Sequence, residues 1–219
     1  MSAESDGAMT YVGRVVAAGR TRAGRNAALY RVSSRSFPNR RAVEVDGAVA
    51  IVPREDAQDD STRNPYVSYD AVRLAGRWAV AANGAHCDPI AEKLAGGAPP
   101  KDALALALLA MDYEHDHLNT PRIAAVVPIE GDEAWLGVVR ADGLQVQAVS
   151  LEAGAAIYLA TYEASSVTPS QRSEFDAADA DAAARFAIEG GAFAAMTHPV
   201  ASAAALAAPG AFALGTALA

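Results

Sequence analysis

The sequence of 219 residues predicts an α+β domain of antiparallel or mixed sheets, with helices packed on their outer faces. Three observations predict it. Short apolar runs meet at tight-turn signals, Asp46-Gly47, Ala75-Gly76 and Asp142-Gly143, which is hairpin spacing. Leu104, Leu108 and Met111 fall at intervals of four and three within Lys101–Tyr113, which is helical spacing. The order of elements reads strands, two helices, strands, two helices, with no internal repeat and no interdomain linker. Residues 1–10 read as a disordered polar leader and residues 11–219 as one domain.

In chain order, Tyr11–Ala17 and Ala27–Val32 are the first strands, and a polar segment follows them. Ala42–Val45 and Ala48–Val52 pair around Asp46-Gly47. A charged loop over Arg54–Arg63 leads to a second hairpin, Tyr66–Leu74 with Trp78–Ala82. Asp88 is the expected N-cap of a helix over Ile90–Leu94, with Pro89 at its first position and Gly96-Gly97 at its end. The helix Lys101–Tyr113 follows Pro99-Pro100. Strands resume at Ile123–Val127, Ala134–Arg140, Leu144–Val149 and Ile157–Tyr162. Beyond a polar linker, Glu163–Arg172, helices are expected over Asp181–Glu189, stopped by Gly190-Gly191, and over Thr197–Leu206.

Composition excludes several classes of function. The net charge of -8 offers no field for a polyphosphate backbone, so nucleic acid is a poor partner. Apolar stretches are too short to span a bilayer, and the early acids of Met1–Asp6 are unlike a signal peptide. Cys87 is the single cysteine, so neither an internal disulfide nor a thiolate zinc site can form. A soluble protein of a reducing, cytoplasmic compartment is expected. Lys93 and Lys101 are the only lysines among 18 cations; genome composition or adaptation to high salt would each give that bias. Oxyanion recognition must therefore rest on guanidinium groups, which bind in bidentate fashion.

Seven strings occur in one order: Tyr11-Val-Gly-Arg14, Tyr30-Arg-Val-Ser-Ser-Arg-Ser-Phe-Pro-Asn-Arg40, Asn64-Pro-Tyr66, Asn83-Gly-Ala-His86, Met111-Asp-Tyr-Glu114, Asn119-Thr-Pro-Arg-Ile123 and Gly190-Gly-Ala-Phe-Ala-Ala-Met-Thr-His-Pro199. Together they resemble the archaeal-type inosine monophosphate (IMP) cyclohydrolase family, from about Tyr11 to about Leu206. About ten residues precede the family pattern, and the alanine-rich tail matches it less well. The resemblance implies a four-layer αββα sandwich like that of the N-terminal-nucleophile hydrolases, without autoprocessing. It implies dehydrative closure of 5-formamidoimidazole-4-carboxamide ribonucleotide to IMP plus water, the last step of purine biosynthesis. It also implies a small nucleotide substrate, no metal or organic cofactor, and a homo-oligomer.

Such a reaction needs a held phosphate, stabilisation of the formyl oxygen, and proton transfer that lets water leave. Proximity is already covalent, so orientation and donor placement dominate. Arg31, Arg35, Arg40 and Arg41 bracket Ser33, Ser34, Ser36 and Asn39 just after a strand. By itself this reads as an anion-binding loop or as a solvated turn with serines bonding their own backbone. With the resemblance, Ser34 and Arg35 are expected at phosphate or ribose and Arg31 at the reacting end. Strand alternation puts Arg31 and Ser33 on one face. Tyr66 has a phenol suited to the formyl oxygen, or is a half-buried strand tyrosine. Glu114 lies just beyond an apolar helix, where burial would raise its pKa toward a useful proton-shuttle range; the alternative is a helix-end carboxylate paired with arginine. Arg122 would orient Glu114 or bind the carboxamide. The expected catalytic set is Arg31, Tyr66 and Glu114. The expected substrate-binding set is Ser33, Ser34, Arg35, Asn39, Asn64, Asn83, His86, Asp88, Asn119, Thr120 and Arg122.

His86 with Asp88, and His115 with His117, look like metal ligands, but a spacing of two on a helix points side chains apart. No metal is expected. His86 and Asp88 read as substrate contacts or helix caps, and so does His198. Cys87 is not expected as a nucleophile, because cyclisation supplies its own. Two other readings stand beside the cyclohydrolase. One is an N-terminal-nucleophile amide hydrolase processed to Thr10, and the other is a non-catalytic purine-nucleotide-binding protein.

Overall fold

The structure is a computed structural model and describes residues 10–54 and 68–219. Eleven strands of the described residues precede the last helix: β1 (Arg14–Arg20), β2 (Asn26–Ser33), β3 (Arg40–Val45), β4 (Ala48–Pro53), β5 (Tyr69–Ala75), β6 (Trp78–Ala82), β7 (Arg122–Pro128), β8 (Glu133–Arg140), β9 (Gly143–Ser150), β10 (Ala155–Ala160) and the short β11 (Arg172–Glu174). Helices α1 (Cys87–Ala95) and α2 (Pro100–Met111) fall between β6 and β7. Helix α3 (Ala180–Glu189) and a 3-10 turn (Gly191–Ala195) lead into β12 (Pro199–Ala208) and β13 (Ala211–Leu218). One sheet has the order β11-β10-β1-β2-β12-β13 and the other β3-β4-β5-β6-β7-β8-β9. Every pairing between these strands is antiparallel.

The layers follow from which side chains alternate where. Tyr30 and Val32 of β2 meet Ala81, Ile123 and Leu136 in an apolar core between the sheets. Ala27 and Leu29, on the opposite face of β2, pack with Ala183, Ala184 and Ala187 of α3. Leu104 and Leu108 of α2, with Ile90 and Leu94 of α1, cover Val80, Ala124 and Val126 of the other sheet. Each buried leucine of this kind contributes roughly 2 kcal/mol of apolar transfer. No helix among the described residues is long and apolar enough to cross a membrane.

The hairpins at Asp46-Gly47, at Gly76-Arg77 and at Ala141-Asp142 appear where tight-turn residues stand. Helix α1 starts earlier than expected, with His86 at its N-cap and no side-chain cap bond, so Asp88 is a first-turn residue and not the cap. The first strand is displaced to Arg14–Arg20, and β11 lies at the end of what reads as linker.

The largest correction is Thr197–Leu206, expected as a helix and found from Pro199 onward as strand β12. Alanine has the highest helix propensity, yet this strand is buried on both faces. Ala201, Ala203 and Ala205 face the inter-sheet core, while Ala204 and Leu206 face α3. The Ser202 hydroxyl donates to the Ala184 carbonyl at 2.6 Å. A strand covered on both sides shows no polar alternation, and only small side chains fit so close to a helix.

The N-terminus of α3 is held by its Asp179 cap, which accepts from Ala182 N at 2.7 Å, and by β13. Asp181 accepts from Thr216 N at 2.9 Å. A Cβ on Gly215 would overlap the backbone of Ala180 and Asp181. Backbone cannot swing aside, so Gly215→Ala is expected to destabilise the protein by about 1–3 kcal/mol. Urea denaturation measures this, and an unchanged midpoint would show that α3 slides freely on β13.

Candidate active site

One cleft gathers chemistry-bearing side chains where β1 begins, β2 ends, and the α2–β7 connection meets the end of β10. A cavity of about 250 Å³ is lined by Tyr11, Arg14, Ser34, Ser36, Phe37, Glu114, Asp116, His117, Leu118 and Tyr162. A shallower cleft of about 520 Å³ shares Tyr11, Leu118 and Tyr162 with it and adds Thr10, Arg35 and Glu163.

The α2–β7 connection is shaped by Asp116. Its carboxylate accepts from Leu118 N at 3.1 Å, Thr120 N at 2.9 Å and the Thr120 hydroxyl at 2.7 Å. Burial alone would raise its pKa, but these bonds win and hold it below the usual carboxylate value. Since the Thr120 hydroxyl donates to Asp116, Tyr162 donates to Thr120, at 3.0 Å. Glu114 N donates to the Thr120 carbonyl at 2.8 Å, which pins the backbone that carries the Glu114 side chain.

Glu114 is 6% exposed and lies 3.4 Å from Arg122 Nη1. Burial raises its pKa, Arg14 and Arg122 pull it back, and Asp116 adds to the rise. Gly84 makes room for this pair: a Cβ there would stand 3.0 Å from Arg122 Nη1 and 3.6 Å from Glu114 Oε1. Burial works against the Arg14 charge, yet Tyr69, Tyr30, Glu114 and Tyr162 together hold it more firmly protonated. At the mouth, the Arg35 guanidinium lies 4.1 Å from the Tyr11 ring centre. Tyr11 in turn stacks on Tyr162, with ring centres 5.9 Å apart.

Of the residues singled out from sequence, the fold brings Ser34, Arg35, Glu114, Thr120 and Arg122 to this cleft or its wall. Arg31 does not line this cleft. Its side chain leaves the α3 face of β2, and Nη1 and Nη2 donate to the carbonyls of Ile188 at 2.9 Å, Phe193 at 2.7 Å and Met196 at 2.6 Å. Ser33 shares that face, as alternation requires, and accepts from Arg31 Nε at 2.9 Å. Both are fully buried away from the cleft.

Asn83 is spent on backbone, donating to the Pro121 carbonyl and accepting from Ile123 N. His86 donates from Nε2 to the Ile123 carbonyl at 2.9 Å. Burial pushes its pKa down to about 3 against that bond, so it is neutral. Asp88 pairs with Arg73 at 2.7 Å on the outer side of α1. Asn39 and Asn119 are exposed, Asn119 in a left-handed turn. Asn64 and Tyr66, like residues 1–9, lie outside the described residues.

His115 pairs with Asp112 at the surface. Among the described residues no three His, Cys, Asp or Glu side chains converge as a metal site would need. Sequence reasoning missed Tyr11, Arg14 and Tyr162 as cleft residues. Arg14 carried a signal, an arginine opening an otherwise apolar strand, and Tyr162 carried none.

The chain matches the family described as IMP cyclohydrolase-like protein over residues 11–210. The IMP cyclohydrolase of Methanosphaera stadtmanae is 43% identical over 195 residues, 89% of this chain and 93% of that one. That of Halobacterium salinarum is 48% identical over 193 residues, 88% of this chain and 90% of its own. That of Natronomonas pharaonis is 51% identical over 160 residues, covering 73% and 76%.

Proposed function

This chain belongs to the IMP cyclohydrolase-like family, and from that premise we infer that it closes the purine ring of 5-formamidoimidazole-4-carboxamide ribonucleotide to give IMP and water. The observation that carries the reading is Glu114, a buried carboxyl with raised pKa set between Arg14 and Arg122 at the floor of a nucleotide-sized cleft. The carboxamide nitrogen must lose a proton as it attacks the formyl carbon. A carboxylate made more basic by burial takes that proton better than an exposed one. Arg122, and Arg14 beside it, are suited to hold the carboxamide oxygen. The Ser34 and Ser36 hydroxyls and Arg35 are suited to phosphate or ribose. The roles expected of Asn64 and Tyr66 rest on the family resemblance.

The finer readings have support of the same kind. Helices on the outer faces of two stacked sheets suit an N-terminal-nucleophile hydrolase-like sandwich, used without processing, with residues 11–219 as one domain. A cytoplasmic homo-oligomer suits a metabolic enzyme with Leu106 and Leu109 exposed on α2. The net charge of -8 argues against nucleic acid as a partner.

A second reading has one observation in its favour: Thr10 lines the outer cleft, where a processed nucleophile would be needed. Against it, Thr10 N donates to the Ala195 carbonyl as part of a bridge to Met196. An intact mass beginning at Thr10 would favour the hydrolase.

The direct test is incubation of the purified protein with the formylated nucleotide, following absorbance as the purine ring forms. An unchanged spectrum refutes the reading. Arg35 faces a phosphate whose charge is the same in ground and transition states. Arg35→Ala is therefore expected to raise KM by roughly tenfold with a smaller fall in kcat. Steady-state kinetics in the same assay decides, and a fall confined to kcat would remove Arg35 from the phosphate.

A further inference from the structure

Tyr162, Thr120 and Asp116 form one chain of hydrogen bonds, and the steps above give none of them a ligand, although Tyr162 and Asp116 line the cavity. The fold builds Tyr162 firmly into the wall. Its N–H donates to the Val12 carbonyl at 3.1 Å, and its ring lies against Gly13, where a Cβ would come within 2.8 Å of two ring carbons. Gly13 has a φ of +71°, so the turn and the close approach both call for glycine. Tyr11 stacks on the same ring, and Thr120 fixes the phenol.

The direction of each proton in the chain is determined. Asp116 is held below the usual carboxylate pKa, so it only accepts. The single Thr120 hydroxyl proton goes to Asp116 Oδ2, and the phenol proton therefore goes to Thr120. Burial raises the Tyr162 pKa, so the phenol keeps that proton to give. Two acceptors remain. The phenol oxygen has a lone pair that no described residue fills. A carboxylate has about four lone pairs. Asp116 Oδ1 accepts from Leu118 N and Thr120 N, but Oδ2 accepts from the Thr120 hydroxyl alone, so Oδ2 keeps one. Thr120, 1% exposed, is closed off between them. A ligand group at this stretch of wall must bring its own protons, and an anion is repelled there.

Ser34 has the opposite polarity. Its hydroxyl oxygen accepts from Phe37 N at 2.9 Å, which leaves its proton for a ligand. With Ser36 and Arg35 that side is a wall of donors and suits phosphate, while Glu114 and Arg122 claim the carboxamide at the floor. Tyr162 borders both the inner cavity and the outer cleft, which puts it midway along the nucleotide. The midway part is the sugar, whose two adjacent hydroxyls are donors, and carboxylates commonly accept from them. We propose that Tyr162 and Asp116 form the ribose site, each accepting from one hydroxyl of the cis-diol, with Thr120 as the positioning residue that holds both acceptors. The placement rests on the ring-closure reading, which sets where phosphate and carboxamide lie.

The test is calorimetric titration with IMP, 2′-deoxy-IMP and 3′-deoxy-IMP. Wild type is expected to bind each deoxy nucleotide about tenfold more weakly than IMP, the loss of one hydrogen bond. In Tyr162→Phe the affinity for IMP should fall about tenfold, and one deoxy nucleotide should now bind as well as IMP, the one lacking the hydroxyl that faces Tyr162. The other penalty, set by Asp116, should persist. Thr120→Val should weaken both penalties, and Thr120→Ser, which restores the hydroxyl, should recover them. Ratios among three ligands separate these effects from a general loss of fold, which weakens all three alike. A wild type that binds the three alike, or a Tyr162→Phe variant that keeps both penalties, overturns the proposal. Ring closure by a wild type with three equal affinities refutes the ribose site alone. Absent turnover refutes the ring-closure reading, and the affinity ratios still decide the ribose site.

Discussion

Glu114→Gln is expected to lower kcat by roughly 10²-fold or more with modest change in KM, because the amide keeps the shape but cannot exchange the proton. The pH profile gives the sharper result. Activity requires the carboxylate, and burial has raised its pKa, so the acid limb of kcat/KM should lie above the ordinary glutamate value. Arg122 opposes that rise. Removing its charge in Arg122→Gln should therefore move the limb to still higher pH. Stability should move the other way from activity. A carboxyl whose folded pKa is raised favours folding below its unfolded pKa, and that contribution is lost as pH rises through the folded pKa. Glu114→Gln should thus be less active yet lose less stability than wild type between acid and neutral pH. An acid limb unmoved by Arg122→Gln, or a near-normal kcat in Glu114→Gln, would make Glu114 a binding or structural carboxylate.

Arg31→Met should be the most destabilising single change considered. Its guanidinium is the hydrogen-bond partner of the Ile188, Phe193 and Met196 carbonyls and of the Ser33 hydroxyl, all in the interior. Burial pushes its pKa down to about 10, far enough above neutrality that it remains charged there. Methionine fills the stem but leaves those carbonyls unsatisfied, so a loss of about 3–5 kcal/mol is expected by chemical denaturation. The same charge gives a pH signature. Between about 10 and the ordinary arginine value the unfolded chain binds the proton more readily, so stability should rise with pH in that alkaline window. Protein that remains folded should keep a near-normal KM. A stable Arg31→Met variant with a collapsed kcat would instead return Arg31 to the reacting end.

Arg31 also marks where reading the sequence succeeds and where it stops. Alternation correctly places Arg31 and Ser33 on one face of β2, because side chains in a strand alternate by local geometry. It does not say which layer covers that face. In this fold the face belongs to α3, and the cleft opens just past the C-terminal end of the strand, at Ser34. Hairpins at Asp46-Gly47 and near Gly76 were legible because turn chemistry is local. The burial of Glu114 was legible from the apolar helix before it.

By itself, then, the sequence determined the α+β character, the hairpins to within a residue, the two central helices and the ordered strings that the family match spans. Tertiary structure alone decided that the alanine-rich run after Pro199 is a strand. Propensity favours a helix there, and burial between a helix and a second sheet overrides it. It alone decided the convergence of Tyr11, Arg14, Ser34, Glu114 and Tyr162 onto one cleft. Periodicity records which side chains share a face of one element, and a site of this kind is made where faces of different elements meet.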